Sequence, residues 1–133
     1  MNIRCSEDEK SFIEFIPSDF LEANGSRSYE FTIDASSYGF SAKCSKIWLE
    51  ESEIVKFINH SKNIFHSGKG SSPLSAISEF EMSLVAVDQV GHLAFIASFM
   101  DLVSKNQAII HVPVNTQKAI DFCTELNRLI NLD

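Results

Sequence analysis

The side chains that most often carry out catalysis or bind metals are present in this sequence, but their spacing matches no catalytic or metal-binding motif. The histidines have neither His-x-x-x-His nor His/Cys spacing, the patterns typical of metal sites. They are His60, His66, His92 and His111. Serine is abundant, but the nucleophile motif Gly-x-Ser-x-Gly does not occur. The sequence therefore predicts no catalytic residue, no metal site and no cofactor, and we expect the protein not to be an enzyme.

Two short patterns are similar to catalytic motifs, and a simpler interpretation is favoured for each. The stretch HSGKGSSP, residues 66–73, contains Gly-Lys-Gly-Ser, but a phosphate-binding loop requires Ser or Thr after the lysine, and Gly70 follows Lys69. We expect a flexible connector near 66–73 instead. Glu79 and Glu81 could form a glycosidase pair on one face of a strand, but like charges two residues apart are more often simply solvated.

Acidic side chains are the most distinctive feature of the sequence, which has a formal net charge of −7. They form three clusters, in a turn, in a loop and at a predicted helix start: Glu7, Asp8 and Glu9; Asp19 and Glu22; Glu50, Glu51 and Glu53. Each cluster taken alone is most simply a solvated surface. Together they could mimic phosphates and attract a basic nuclease groove, with Trp48, Tyr29 and Tyr38 as nearby aromatic anchors.

The composition is that of one folded domain. A chain of 133 residues with 44% hydrophobic residues can form one core, so we expect residues 1–133 to be a single domain. Eleven phenylalanines against one tryptophan and two tyrosines predict a phenylalanine-rich core. The eleven basic residues are scattered, which argues against direct binding of nucleic acid.

The sequence indicates a cytoplasmic protein that does not contact a membrane. The N-terminal stretch MNIRCSEDEK is acidic where a signal peptide would be apolar, and no apolar run approaches the ~18 residues of a membrane span. Cys5, Cys44 and Cys123 are odd in number and far apart, so free thiols are favoured over a disulfide framework.

Hydrophobic periodicity predicts an α+β fold in the order ββββα-βββα. Apolar residues alternate in four segments before residue 45, and they recur with helical period after Trp48, where Ile54, Phe57 and Ile58 share a face. Strands are predicted again at 80–99 and 107–114. A second amphipathic helix follows, capped by Asn115 or Thr116. We expect a curved, largely antiparallel sheet with the two helices packed on it.

The stretch VAVDQVGHLAF, residues 85–95, predicts a hairpin with a defined register. A type I turn over residues 88–91, with Gly91 in the left-handed conformation, gives four apolar pairs on one face. The pairs are Phe80–Phe99, Met82–Ala97, Leu84–Phe95 and Ala86–Leu93. The opposite face carries Val85, Val87, Ala94 and Ile96, so we expect a helix to cover it.

Four stretches of the sequence carry a resemblance to a known family: YEFTID, GFSAKCSKIWLEESEIVKFI, FEMSLVAVDQVGHLAFIASF and VNTQKAIDFCTELNRLI. They describe strand pairs with one helix, then a strand, a glycine turn, two strands and a helix. In this pattern, over most of residues 28–131, the chain resembles small bacterial immunity proteins, in particular the WapI-like group. The resemblance rests on the order of elements and transfers no catalytic residue.

The resemblance implies a partner. Such proteins bind and neutralise the C-terminal toxin domain, often a nuclease, of a contact-dependent inhibition or wall-associated polymorphic toxin. We therefore expect this chain to occlude the active site of a cognate toxin domain, a basic nuclease, with its acidic surface. The expected toxin-binding residues are Glu7, Asp8, Glu9, Asp19, Glu22, Trp48, Glu50, Glu51 and Glu53. The alternative is a small-ligand-binding protein or enzyme that uses the concave face of the curved sheet, which requires a pocket with convergent polar groups.

Overall fold

The computed structural model describes residues 1–76, 79–88 and 90–131. The strands within these residues are β1 (Ile3–Asp8), β2 (Ser11–Ala23), β3 (Ser26–Ser37), β4 (Phe40–Glu50), β5 (Ser71–Ser75), β6 (Phe80–Ala86), β7 (His92–Met100) and β8 (Gln107–Asn115). The helices are α1 (Glu51–Ser67), which follows β4, and α2 (Thr116–Ile130), which follows β8. The predicted α+β class, with antiparallel strands and a helix after each group of strands, is confirmed.

The strands form two four-stranded antiparallel sheets, each in sequence order. Sheet 1 is β1-β2-β3-β4, and sheet 2 is β5-β6-β7-β8. Sheet 2 has one strand more than the sequence predicted, because β5 begins inside the expected connector at 66–73. Ser72 and Leu74 of β5 are buried, and the Ser72 hydroxyl donates to the carbonyl oxygen of Phe57 in α1 at 2.7 Å. Three serines and a proline in five residues carry little apolar signal, which explains why periodicity did not reveal this strand.

The inner faces of the two sheets and both helices share one phenylalanine-rich core. The ring of Phe15 in sheet 1 lies 5.4 Å from Phe31 of the same sheet, 6.0 Å from Phe80 of sheet 2 and 5.4 Å from Phe122 of α2, measured between centroids. All three pairs are edge-to-face, the arrangement that the quadrupole of an aromatic ring favours. Phe122 also contacts Phe95 of sheet 2, at 5.1 Å. The phenylalanines therefore join the two sheets and α2.

The β6–β7 hairpin has the register that the sequence predicted. Leu84 lies opposite Phe95, and the three other predicted pairs are also formed. Gly91 adopts a φ of 93°, the left-handed conformation expected for it. The predicted type I turn includes Gln89, which lies outside the described residues.

An ion pair holds the two sides of this turn together. Asp88 Oδ1 accepts hydrogen bonds from the backbone N–H groups of Val90 and His92, at 2.9 and 3.3 Å. Asp88 Oδ2 lies 2.6 Å from His92 Nδ1. This contact raises the pKa of His92 and lowers the pKa of Asp88. The pairing therefore favours the charged form of both groups.

The outer face of sheet 2 is open, whereas the sequence predicted that a helix would cover it. Both helices pack on the inner face, α2 through the Phe122–Phe95 contact and α1 through the hydrogen bond from Ser72. On the outer face Val85 and Ile96 are only half-buried. The prediction of a covering helix was wrong because the facing sheet and both helices occupy the other side.

The two helices begin in different ways, and α1 ends at a glycine. The first turn of α1 carries Glu51 and Glu53, and no side chain caps it. The helix ends at Gly68, whose φ is 72° and whose N–H donates to the Ile64 carbonyl at 2.7 Å. The N-cap of α2 is Asn115, whose side-chain oxygen accepts from the backbone N–H of Lys118 at 2.9 Å. Across the described residues, neither helix combines the length and apolarity that spanning a membrane would require.

Candidate protein-interaction site

The β2–β3 hairpin continues past the end of β1, and its tip, residues 22–27, continues past the end of β4. β2 and β3 pair up to Ala23 and Ser26, and residues 18–23 of β2 are all exposed. The turn at Asn24-Gly25 has φ values of 53° and 79°, both left-handed, as tight hairpin turns require. We call residues 18–30 the arm.

The sequence did not predict the arm because Pro17 was taken as the start of a loop. In the structure β2 continues past Pro17 through a β-bulge, where the register shifts between Pro17 and Asp19. Proline is tolerated at a bulge, since the ladder is already interrupted there. The predicted loop residues Asp19 and Glu22 therefore lie in an extended strand.

Two exposed apolar side chains lie on the arm. Phe20 is 52% exposed and Leu21 is 57% exposed. As neighbours in a strand, they project from opposite faces of the hairpin. The ring of Phe20 packs against Tyr29, with centroids 5.7 Å apart. Tyr29 is itself buried, so the prediction that it anchors a partner was wrong, and Phe20 and Leu21 are the arm's available apolar contacts.

An apolar groove of about 710 Å³ runs beside Phe20. Pro17, Phe20, Tyr29 and Leu129 supply its apolar lining, and Asp19, Ser18 and Arg27 supply polar atoms. Because Leu129 belongs to the last turn of α2, the groove lies between the arm and that helix. One side of the arm is therefore a concave apolar surface with a carboxylate at its edge.

Carboxylates surround the arm. Asp19 lies opposite Glu30 on β3, and Glu50, the last residue of β4, lies opposite Ser28. The basic residue Arg27 is engaged by two acids, since its Nε lies 2.9 Å from Glu22 Oε2 and 4.0 Å from Glu51 Oε2. Hydrogen bonds with Tyr29 and then with Glu22 raise the pKa of Arg27. The arm and its base therefore present net negative charge around two exposed apolar side chains.

Most of the residues predicted to bind toxin lie at this end of sheet 1. Asp19 and Glu22 are on the arm, and Glu50 and Glu51 lie at its base. Trp48 is half-buried opposite Glu30, on the outer face of the sheet. Glu53 is further along the first turn of α1, 3.9 Å from Lys56.

The predicted cluster Glu7 to Glu9 lies at the opposite end of the sheet. It forms the turn between β1 and β2, next to the pair Ser11–Ser37. The part of β2 from Ser11 to Glu22 spans roughly 36 Å at the rise of an extended strand. The structure therefore divides the predicted acidic surface into two separate regions.

In this turn the carboxylate of Asp8 has a structural role. It accepts hydrogen bonds from the backbone N–H of Lys10 at 2.8 Å, from that of Ser11 at 3.1 Å and from the hydroxyl of Tyr38 at 3.0 Å. The bond from Lys10 is the main cause that lowers the pKa of Asp8. Tyr38 and Phe40, exposed by 56% and 75%, lie beside it. This second region is smaller, and one of its three carboxylates stabilises the turn.

Glu79, Glu81 and Cys44 do not have the surroundings that a glycosidase pair or an activated thiol requires. Glu79 and Glu81 do not share a strand face as predicted, because Glu79 precedes β6 with a φ of 71° and Glu81 lies on the outer face. Cys44 Sγ lies 3.9 Å from Glu79 Oε2. Partial burial and then this carboxylate raise the pKa of Cys44, the reverse of what activates a nucleophile. Among the residues that the structure describes, no three His, Cys, Asp or Glu side chains are grouped to hold a metal ion.

Comparison with known proteins identifies a fold and no family. No family and no curated protein matches the sequence. The fold is similar to a solved structure described as that of the plant transcriptional regulator PBF-2, with a TM-score of 0.59 and 10% sequence identity. The similarity covers 98% of this chain and 80% of the other. At this identity the comparison establishes a shared arrangement of strands and helices.

Proposed function

We propose that this protein is an immunity protein that binds a cognate bacterial toxin domain and neutralises it. The observation that carries the proposal is the arm, where the exposed side chains of Phe20 and Leu21 are surrounded by carboxylates. A large apolar residue in a desolvated centre with a polar rim is the usual composition of an energetically important contact. The family resemblance of the sequence points to the same class of function.

The charge of the arm selects the kind of partner. Asp19, Glu22, Glu30 and Glu50 would repel an acidic surface and attract a basic one, and they would accelerate encounter with it at low salt. A nuclease carries such a basic surface where it binds phosphates. Carboxylates placed there would compete with the phosphates of its substrate.

The shape of the arm suits entry into a cleft. Residues 18–23 extend for roughly 20 Å at the rise of a strand, and all six are exposed. Its tip, residues 22–27, projects as two strands past the end of β4, and the exposed edge of β2 behind the tip can line a cleft while the body of the protein stays outside. We propose that inhibition is direct occlusion of the active site, in the cytoplasm, with no catalytic residue, cofactor or metal of the inhibitor involved.

A second candidate function is the binding of a small apolar ligand. The groove beside Phe20 has the volume of a small-molecule site and mixes apolar lining with Asp19 and Arg27. It is outside the concave inner face of the sheets, which is filled by core side chains such as Phe15 and Phe95. Under this alternative a ligand would raise the melting temperature, and removing the groove would not affect any toxin.

The proposal is tested by titrating the activity of a toxin domain with the purified protein. The domain to use is the C-terminal domain encoded by the neighbouring upstream reading frame. We expect complete inhibition at a molar ratio of about one, because a tight immunity complex is stoichiometric. An unaffected toxin, or a neighbouring housekeeping enzyme in place of a toxin, would contradict the immunity function and favour the small-ligand alternative.

A further inference from the structure

We infer that the open edge of β2 in the arm takes up an extended segment of the toxin domain as a further strand of sheet 1. This inference rests on the proposed function, and it adds how the two proteins join and what the toxin segment must contain. β1 begins at Ile3, opposite Phe15 of β2. Within the described residues no strand pairs with β2 beyond that point on this side, so residues 18–23, all exposed, form a free edge.

The register of the hairpin identifies the backbone groups that this edge presents. A two-residue turn closes on a hydrogen-bonded pair of residues, here Ala23 and Ser26. Hydrogen-bonded and non-hydrogen-bonded pairs alternate along antiparallel strands, so Glu22 and Phe20 direct their N–H and C=O groups away from β3. The Phe20 N–H agrees with this orientation, because it donates to the carboxylate of Asp19 at 2.7 Å instead of to β3. An added strand would therefore find two N–H and two C=O groups to pair with.

The side chains along the edge select a basic segment. Side chains directly opposite each other in neighbouring strands lie about 5 Å apart, where opposite charges are favourable and like charges are unfavourable. Asp19 and Glu22 would each face a basic residue, and Phe20 and Leu21 between them would each face an apolar residue. The toxin segment should therefore read basic–apolar–apolar–basic, a pattern that is the same in both strand directions.

Glu22 can accept this second contact although it already has a base beside it. Its carboxylate lies 2.9 Å from Arg27 Nε on β3, and its side chain is still 54% exposed. A base on an added strand would approach from the other side of β2. The carboxylate would then lie between two cations.

The same charges disfavour a second copy of this chain at the edge. If two β2 edges paired antiparallel about a two-fold axis between Phe20 and Leu21, Asp19 of each copy would lie opposite Glu22 of the other. Both cross-strand pairs would then join two carboxylates, which is destabilising. The charge of the edge therefore favours a basic strand over self-association.

The groove beside Phe20 gives one apolar side chain of the toxin segment a place to bind. Tyr29, directly opposite Phe20, is buried, so both rings lie on the inner face of sheet 1, where Leu129 of α2 also lines the groove. The side chain that faces Phe20 from an added strand lies on this same face. Since the groove has a volume of about 710 Å³, we expect a large side chain such as Phe, Trp or Leu at that position.

The test is amide hydrogen exchange of the isotope-labelled protein, free and in complex with the toxin domain encoded by the neighbouring upstream reading frame. The N–H groups of Phe20 and Glu22 should exchange at least about tenfold more slowly in the complex, because each gains a hydrogen bond from the added strand. The N–H groups of the β1–β2 turn, at the opposite end of sheet 1, should exchange as they do in the free protein.

A pair of variants at Glu22 separates backbone pairing from simple burial. Glu22→Pro removes the outward N–H and leaves the pairing of Leu21 and Ala23 with β3, and proline is tolerated on an edge strand. Glu22→Ala, the matched control, removes the same side chain and keeps the N–H. Both should melt at similar temperatures, and Glu22→Pro should bind the toxin domain about tenfold or more weakly than Glu22→Ala. If Glu22→Pro melts lower, the exchange of the wild type decides.

The outcomes distinguish this inference from the proposed function. If the toxin is neutralised but Phe20 and Glu22 exchange as in the free protein, or if a stable Glu22→Pro binds as well as Glu22→Ala, the added strand is wrong and the immunity function stands. If the toxin domain is neither bound nor neutralised, the proposed function is wrong and this inference fails with it.

Discussion

At the scale of single residues, Phe95 is central to the fold. It is fully buried, lies opposite Leu84 in the β6–β7 hairpin and contacts Phe122 of α2. Phe95→Ala removes a ring that close neighbours cannot replace, so we expect a loss of roughly 3–5 kcal/mol in the free energy of unfolding. Urea unfolding followed by circular dichroism measures it. Val103→Ala, at a loop residue that is 93% exposed, is the control and should change stability by less than about 0.5 kcal/mol.

The three cysteines differ in their surroundings, and their reactivity should differ accordingly. All three are free thiols, as predicted from their number and spacing. Burial raises the pKa of Cys5 to about 12 and that of Cys123 to about 11. The pKa of Cys44 is also raised, but this residue is only half-buried.

The folded protein should be alkylated without reductant and its mass measured by mass spectrometry. We expect one slow modification, at Cys44. Since the thiolate is the reactive form, its rate should increase as the pH rises through 8 and 9, and it should be slower than that of a free cysteine at the same pH. Cys5 and Cys123 should react only after unfolding, giving three modifications. Rapid modification of all three in the folded protein would contradict the burial described above.

At the scale of elements, apolar alternation predicted those strands whose buried side chains are large. The β6–β7 register follows from it together with the turn length, since a shift of one residue would move Leu84 or Phe95 off the core face. The same reasoning missed β5, where serine fills a buried position, and it ended β2 early because Pro17 sits at a bulge. Periodicity detects apolar burial, and it does not detect a strand in which serine fills a buried position or one that continues, exposed, past a proline.

The acidic start of α1 gives a prediction at this scale. Changing Glu50, Glu51 and Glu53 to Lys removes the contacts of Glu51 with Arg27 and of Glu53 with Lys56, both near the surface. We expect a cost of at most about 1 kcal/mol per charge, because the helix dipole favours acids at this end. Association with a basic toxin should slow at low salt and lose most of its salt dependence.

Stopped-flow association at low and high salt, together with melting temperature, measures these effects. Reversing Glu7 and Glu9 to Lys is the matched control, because they lie at the opposite end of sheet 1. If the triple variant associates as fast as the wild type at low salt while the control is slowed, the contact surface is the β1–β2 turn.

At the scale of the whole molecule, one core supports two surfaces that differ in charge, the arm of sheet 1 and the outer face of sheet 2. The arm of sheet 1 is acidic with exposed apolar side chains, and the outer face of sheet 2 is nearly uncharged. The sequence showed the acidic residues, but their separation into two regions depends on the register of β1, β2 and β3. Which of the predicted residues lie together could therefore be known only from the fold, as could the exposure of Phe20 and Leu21.

The most direct test of the arm as the toxin-binding site is calorimetry of the Phe20→Ala/Leu21→Ala double variant with the toxin domain, which gives the equilibrium dissociation constant of their complex. The matched control is Phe40→Ala, an exposed phenylalanine at the opposite end of the same sheet. Truncating an apolar side chain at the centre of a contact weakens the binding free energy by about 2 kcal/mol or more. We therefore expect the double variant to bind at least about 100-fold more weakly. Phe40→Ala should bind as the wild type does, and all three proteins should melt at similar temperatures. Wild-type affinity of the double variant, or weakened binding by Phe40→Ala alone, would contradict the assignment of the arm as the toxin-binding site.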